Sequence, residues 1–225
     1  PTTSELEFED DINIPLDPLA PINSVIMDVV QKYDDLFSPL HPDGADLPPM
    51  VLTLVAGNGP VIVPARRMSP NKQLELDLLV QEQLDLGYIE PTHSTTSSFS
   101  SPPMCVPKAN GKSRLVIDYR LLNERIQANS FPLPNNQESI QQLGGRKYFT
   151  KVDLRDGFHN LVLHPDSRPL TAFGTPKGLF QYKRVPMGIR SAPGFFQQTM
   201  SKLLHQHLFI RCVVFIDDCI ISVSY

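Results

Sequence analysis

The chain is predicted to be an α+β protein built on antiparallel sheet, and three observations carry that prediction. Helical and strand-like runs follow one another irregularly, without the regular alternation of βαβ units. Asn110-Gly111, a strong two-residue hairpin signal, lies between two strand-like runs. Farther on, the β-rich runs 210–216 and 219–223 flank Asp217-Asp218, which reads as a second hairpin.

Taken in order, residues 1–49 read as an acidic, Pro-rich leader with one short helix. Val25, Ile26, Val29, Val30, Tyr33 and Phe37 fall at helical spacing within 23–37, and a linker with four prolines and a glycine fills 38–49. Residues 50–225 form the main domain. Short strands are expected over 50–55 and 60–63. Ser69-Pro70 opens a helix, with Ser as N-cap and Pro at its first position. Leu74, Leu78, Leu79 and Leu86 supply its apolar stripe, and Gly87 stops it. Residues 92–103 are a Ser/Thr/Pro-rich loop. Further strands are expected at 104–107, 113–118, 147–153, 160–164, 170–174 and 180–185. Helices are expected near 136–143 and from Ala192 to about His207, the latter with Phe196, Met200, Leu203 and Leu204 on one face.

Charge divides the chain. Residues 1–50 hold eleven Asp/Glu and one Lys, and the remainder holds nineteen Lys/Arg and thirteen Asp/Glu. A basic body behind an acidic leader is compatible with a phosphate-rich partner. No run approaches the ~18 apolar residues of a membrane helix, so no membrane partner is expected. Cys105, Cys212 and Cys219 fit no metal spacing and read as reduced intracellular thiols in the core. Pro1 in place of Met makes a fragment or a processed product the expectation.

Three carboxylates are the leading candidates for chemistry. Aspartate is a favoured turn residue in its own right, so Asp217-Asp218 alone says little. Asp153, however, ends another apolar strand, 148–153, and two adjacent strands can bring all three carboxylates to one sheet end. Clustered like charges are costly without a cation. Hard carboxylate oxygens suit Mg2+, with Mn2+ as an alternative. Two such ions about 4 Å apart clamp the attacking and leaving oxygens of a phosphoryl or nucleotidyl transfer. Around Asn110-Gly111 stand Lys108, Lys112 and Arg114. These read either as a solvated basic turn or, given a carboxylate-metal site elsewhere, as cations for a triphosphate. Phe158, five residues beyond Asp153, is either a core aromatic or the floor of a sugar pocket.

An ordered set of motifs then resembles the reverse transcriptases of gypsy-type long-terminal-repeat retrotransposons and their retroviral relatives. It runs through Leu115-Val116-Ile117-Asp118-Tyr119-Arg120-Leu121-Leu122-Asn123, Phe131-Pro132-Leu133-Pro134, Leu143-Gly144-Gly145 and Tyr148 to His159. It continues with Thr171-Ala172-Phe173, Val185 to Pro193 and Phe215-Ile216-Asp217-Asp218. The resemblance implies a right-hand polymerase fold, with fingers over about 50–127 and 161–190 and palm over about 128–160 and 191–225. It implies RNA-directed DNA polymerase activity, with two-metal transfer to a primer 3′-OH and Asp153, Asp217 and Asp218 as catalytic metal ligands. Lys108 and Arg114 match the cations that hold the incoming dNTP, and Phe158 matches the aromatic gate against a ribose 2′-OH. The loop at Met187 matches the segment beside nucleotide and template base. Asp118 and Arg120 fall in a template-side strand.

The implied partners are an RNA or DNA template with its primer, dNTPs, and the remaining pol domains: thumb, connection and RNase H. The implied setting is intracellular, in a cytoplasmic particle or the nucleus. Ala109, Leu170, Met187 and Phe215 depart from the family's usual residues, but no metal ligand is lost. The chain is expected to stop before the thumb, which leaves a second reading open. It would be an inactive remnant serving only as a nucleic-acid-binding or interaction module.

Overall fold

The computed structural model describes residues 21–34, 41, 43–108 and 111–223. Two compact units divide between Leu40 and His41. In the first, helix α1 spans Pro21–Lys32. Val29 and Tyr33, assigned to its apolar face by spacing, are exposed. The leader before Pro21 and the expected Phe37 contact lie outside the described residues.

The second unit runs α2 (Pro70–Asp85), β1 (Ile89–Thr92), β2 (Pro103–Pro107), β3 (Ser113–Ile117), α3 (Arg120–Asn123), α4 (Asn136–Gln142) and β4 (Tyr148–Asp153). Then come β5 (Phe173–Thr175), β6 (Gly178–Tyr182), α5 (Ala192–Leu203), β7 (Cys212–Phe215) and β8 (Asp218–Val223). The strands form three antiparallel groups, β1-β6-β5, β2-β3 and β4-β8-β7. This is the α+β architecture expected. Among the described residues no helix is long and apolar enough to cross a membrane.

Helix α2 starts and stops where the sequence says, for partly different reasons. Ser69 is extended and Pro70 opens the helix, but the Ser69 side chain makes no capping hydrogen bond. At the other end Gly87 sits at φ +69°. Its N–H donates to Leu84 O and that of Tyr88 to Gln83 O, a paired closure that uses orphan carbonyls of the last turn. The apolar stripe is a correction. Leu74 and Leu78 are 64% and 73% exposed, while Leu76 and Val80 are buried.

Other corrections follow from pairing. Residues 50–55 and 60–63 make only single bridges, Met50 to Leu163, Leu54 to Ile126 and Ile62 to Ser100. Each reaches a different neighbour, so no ladder forms. Residues 160–164 likewise bridge only singly, Val162 to Arg184 and Leu163 to Met50. Pro165 and Pro169 then hold Pro165–Thr171 in a 3₁₀ helix, so the strand expected over 170–174 loses its first residues and β5 begins only at Phe173. Helix α5 ends at Leu203, short of His207. Strand β1 was not anticipated.

The main core gathers Tyr119, Leu122, Leu161, Leu163, Phe173, Tyr182, Val185 and Ile189 with α2 residues Leu76 and Val80. Thr171 satisfies two of its polar groups. Tyr119 OH donates to Thr171 O, and the Tyr182 N–H donates to Thr171 Oγ1. A much smaller cluster, Cys212, Val214 and Cys219 against Met200, Leu204 and Leu208, holds β7 and β8 onto α5.

Candidate active site

Asp153 is the last residue of β4, and Asp218 is the first of β8. Antiparallel register sets the two directly opposite each other, just as Val152 faces Cys219 one step back. Directly opposed residues share a face of the sheet. Phe215 pairs with Asp218 across the β7-β8 hairpin, so Ile216 and Asp217 are its two-residue turn. The Leu154 N–H donates to Asp217 O at 3.1 Å, which fastens the end of β4 to the turn. The three aspartates therefore meet at one end of one sheet. Partial desolvation, then the charges of Asp217 and Asp218, push the Asp153 carboxyl above its ordinary value.

The turn is strained and held. Ile216 carries φ +56°, a left-handed conformation that a β-branched residue rarely adopts. Its N–H donates to Gln197 Oε1 at 2.7 Å, while Gln197 Nε2 donates to Val214 O at 3.1 Å. Gln197 lies on α5 and is buried. One amide thus satisfies a donor in the turn and an acceptor in the strand that leads to it. Gly157 gives the turn its room. A Cβ there would come within 3.2 Å of both Asp217 Cβ and Phe196 Cζ.

Phe158 was expected to face a nucleotide pocket instead of filling the core. It is half-buried, packs against the main core, and tilts against the Phe196 ring at 5.3 Å between centroids. Next to it, His159 stacks on Tyr88 at 4.5 Å. Burial pushes the His159 imidazole below its ordinary value and the Tyr88 phenol up to about 12.

The basic residues stand on a separate sheet, the β2-β3 ribbon. Lys108 N–H donates to Lys112 O at 2.6 Å, Gly111 turns the chain at φ +79°, and Lys108, Lys112 and Arg114 are exposed. Asp118 does not present a free carboxylate. It takes a bidentate contact from Arg120, Nε to Oδ1 at 2.8 Å and Nη2 to Oδ2 at 2.7 Å, and a further bond from Arg66 Nη2 at 3.1 Å. These partners hold the Asp118 carboxyl below its ordinary value, Arg120 first. The exposed groups in this cluster are the two guanidiniums. Met187 is exposed in a loop tied down by Asn123, whose Nδ2 donates to Gly188 O and whose Oδ1 accepts from Arg190 N, both at 2.8 Å.

Four residues with apparent roles here carried no local signal of their own: Gln197, Asn123, Arg66 and Lys151. The Lys151 Nζ lies 2.8 Å from Asp218 Oδ1. That contact is an ion pair without the alignment of a hydrogen bond, and Oδ1 is buried with no hydrogen-bond partner. Among the described residues, no three His, Cys, Asp or Glu side chains stand ready to hold a metal ion.

Residues 106–224 match the sequence profile of the reverse transcriptase (RNA-dependent DNA polymerase) family, just over half of the chain. The chain belongs to that family. It is 38% identical over 169 residues to the retrovirus-related Pol polyprotein from transposon 297 of Drosophila melanogaster, covering 73% of this chain and 16% of the relative. It is 33% identical over 160 residues to the enzymatic polyprotein of cauliflower mosaic virus (strain Strasbourg), covering 69% and 23%. This reverse transcriptase chain thus spans less than a quarter of either relative's length. In fold it is similar to the prototype foamy virus protease-reverse transcriptase, with TM-score 0.77 and 23% identity over 92% of this chain and 28% of that one. The foamy viral enzyme in complex with an RNA/DNA hybrid gives TM-score 0.77 at 22% identity, over 90% and 27%. The fold is therefore that of the fingers and palm of a right-hand polymerase.

Proposed function

We propose that this reverse transcriptase chain carries the fingers and palm of an RNA-directed DNA polymerase that extends a primer 3′-OH on an RNA or DNA template. Fingers would cover about 50–127 and 161–190, and palm about 128–160 and 191–225. The observation that supports the reading most is the register that sets Asp153 opposite Asp218, with Asp217 in the strained turn beside them. The foamy viral neighbour with an RNA/DNA hybrid supports a template-primer partner. Thumb, connection and RNase H would be supplied by other parts of a pol polyprotein.

The donor set fits Mg2+. Its oxygens are hard, and Asp218 Oδ1 is buried with the Lys151 ammonium 2.8 Å away. Mg2+ needs only one or two carboxylates and completes its octahedron with waters and phosphate oxygens. The absence of a ready three-ligand cage among the described residues is consistent with that demand. Asp153, Asp217 and Asp218 would hold the ions, which supply positive charge to the attacking and leaving oxygens. Lys108, Lys112 and Arg114 would hold the triphosphate from the β2-β3 ribbon. Arg120 and Arg66, oriented by Asp118, would meet template phosphates. Met187 would border the nucleotide, in a loop that Asn123 fixes. Phe158, braced by Phe196, would exclude a 2′-hydroxyl by bulk.

Primer extension tests this reading in an enzyme that joins the chain to the segments following it in its relatives. Asp217→Asn is expected to abolish extension while the far-ultraviolet circular dichroism spectrum and melting temperature stay near wild type. Retained extension would refute the metal-ligand assignment. Phe158→Ala is expected to raise ribonucleotide use relative to dNTP about tenfold, since one lost pocket clash is worth ~1–3 kcal/mol. An unchanged ratio in an active variant would make Phe158 an ordinary core aromatic.

A further inference from the structure

Lys151 stands two residues before Asp153 on β4, so both side chains leave the same face of the sheet. Register sets Lys151 opposite Ile220 and Asp153 opposite Asp218. The ammonium therefore reaches diagonally along the sheet to Asp218 Oδ1, at 2.8 Å. It reaches the one carboxylate oxygen of the triad that is buried and lacks a hydrogen-bond partner. A single positive charge is thus lodged at the carboxylate cluster. Its stem is long and 63% exposed, so it is free to leave. Exposed ion pairs of this kind are weak and give way to a more strongly held cation.

We propose that Lys151 is a built-in counter-cation of the carboxylate site: it offsets part of the cluster's negative charge before a divalent metal arrives and is displaced when one binds. The inference rests on the reading of Asp153, Asp217 and Asp218 as metal ligands. It also accounts for the lack of a ready metal cage, because Asp218 is turned to Lys151. Like charges at one sheet end would otherwise repel and open the turn. The same device sets metal affinity, since every divalent ion must first compete with a tethered one. A divalent ion wins by its double charge and by taking several oxygens at once.

The test uses the full 225-residue chain. Binding of Mn2+ is followed by electron paramagnetic resonance of the free ion, for wild type, Asp217→Asn, Lys151→Met and Lys183→Met. Methionine keeps most of the stem and removes the charge, and Lys183→Met controls for net charge alone. Lys151→Met is expected to bind Mn2+ three- to tenfold tighter than wild type, with Lys183→Met unchanged. Equal or weaker binding by Lys151→Met, beside a wild type whose binding Asp217→Asn weakens, would overturn the counter-cation role and leave the ligand reading intact. Binding that Asp217→Asn leaves untouched would overturn the ligand reading itself. A second measurement needs no variant at position 151. The Lys151 side-chain resonances of the wild-type chain are expected to move to freely solvated positions as Mg2+ is added, and shifts confined to other residues would also overturn the proposal.

Discussion

The sheets β1-β6-β5 and β4-β8-β7 have the same number of strands and the same antiparallel sense, yet they are held in different ways. In the first, Phe173, Phe180 and Tyr182 are buried, and the Phe173 ring lies 5.9 Å from that of Phe180 and 5.8 Å from that of Tyr182 between centroids. In the second, every residue of β4 is exposed, and only β7 with one side of β8 meets the small cluster on α5. The first sheet is fixed by burial, whose strength scales with apolar area. The second is fixed by a few directional contacts at its carboxylate end: the Gln197 amide, the Leu154 N–H and the close approach of Gly157. Carboxylates proposed to meet Mg2+, water and phosphate must stay accessible, so the core cannot hold them. Its geometry must come from hydrogen bonds.

The contrast breaks most sharply through the core. Leu163 is 0% exposed, and Leu163→Ala is expected to cost ~2–5 kcal/mol of unfolding free energy in urea titration. Phe149→Ala, at a half-exposed position of β4, is expected to cost about 0.5 kcal/mol or less. Equal costs would mean that β4 is as firmly packed as the core.

Gln197→Leu sharpens the comparison from the other side. It strands the Ile216 N–H and the Val214 carbonyl, each a buried-group penalty of about 1–3 kcal/mol. The expected outcome is local. Amide exchange at Ile216 and Asp217 quickens and Mn2+ binding weakens, while the Leu163 amide keeps its protection. Uniform quickening across the chain would show that the turn and the core open as one unit.

The smallest effect concerns pH. Burial lowers the His159 pKa in the folded chain below the ~6.5 of an exposed imidazole. The unfolded chain therefore binds the proton more readily. Stability from this group is complete above about pH 6.5 and is lost as pH falls through the folded value. The melting temperature is expected to drop by a few degrees between pH 7 and pH 5. His159→Phe, which keeps a ring against Tyr88, is expected to flatten that part of the profile.

Legibility followed the same division. Turn chemistry was readable, because Gly87 and the aspartate hairpin act through local backbone preferences. Helix α2 was found but its buried face was not. Leu74 and Leu78, and equally Leu76, Val80 and Leu84, lie four apart, so spacing offers two stripes and only tertiary contact selects one. The strand expected at 160–164 was apolar enough but met only scattered partners, and the one expected at 170–174 lost its first residues to a proline-bearing 3₁₀ helix, so that only Phe173 and Gly174 of it pair in a ladder. Gln197 and Asn123 were invisible for another reason. Their partners lie up to 67 residues away, and a polar side chain carries no sign of which distant backbone it will bind.

Gly157, Phe196 and Asp217 come from three separate stretches of the chain and share one small volume. A methyl added at 157 would press on both the aspartate's first carbon and the far edge of the phenylalanine ring, each 3.2 Å away. The three positions therefore constitute a single unit of inheritance. A side chain gained at 157 requires the ring at 196 or the hairpin to give by a few tenths of an ångström, and a shift of the hairpin carries the metal-ligand candidates with it. Drift at these sites is coupled, and the order in which the changes arrive sets the strain that an intermediate carries.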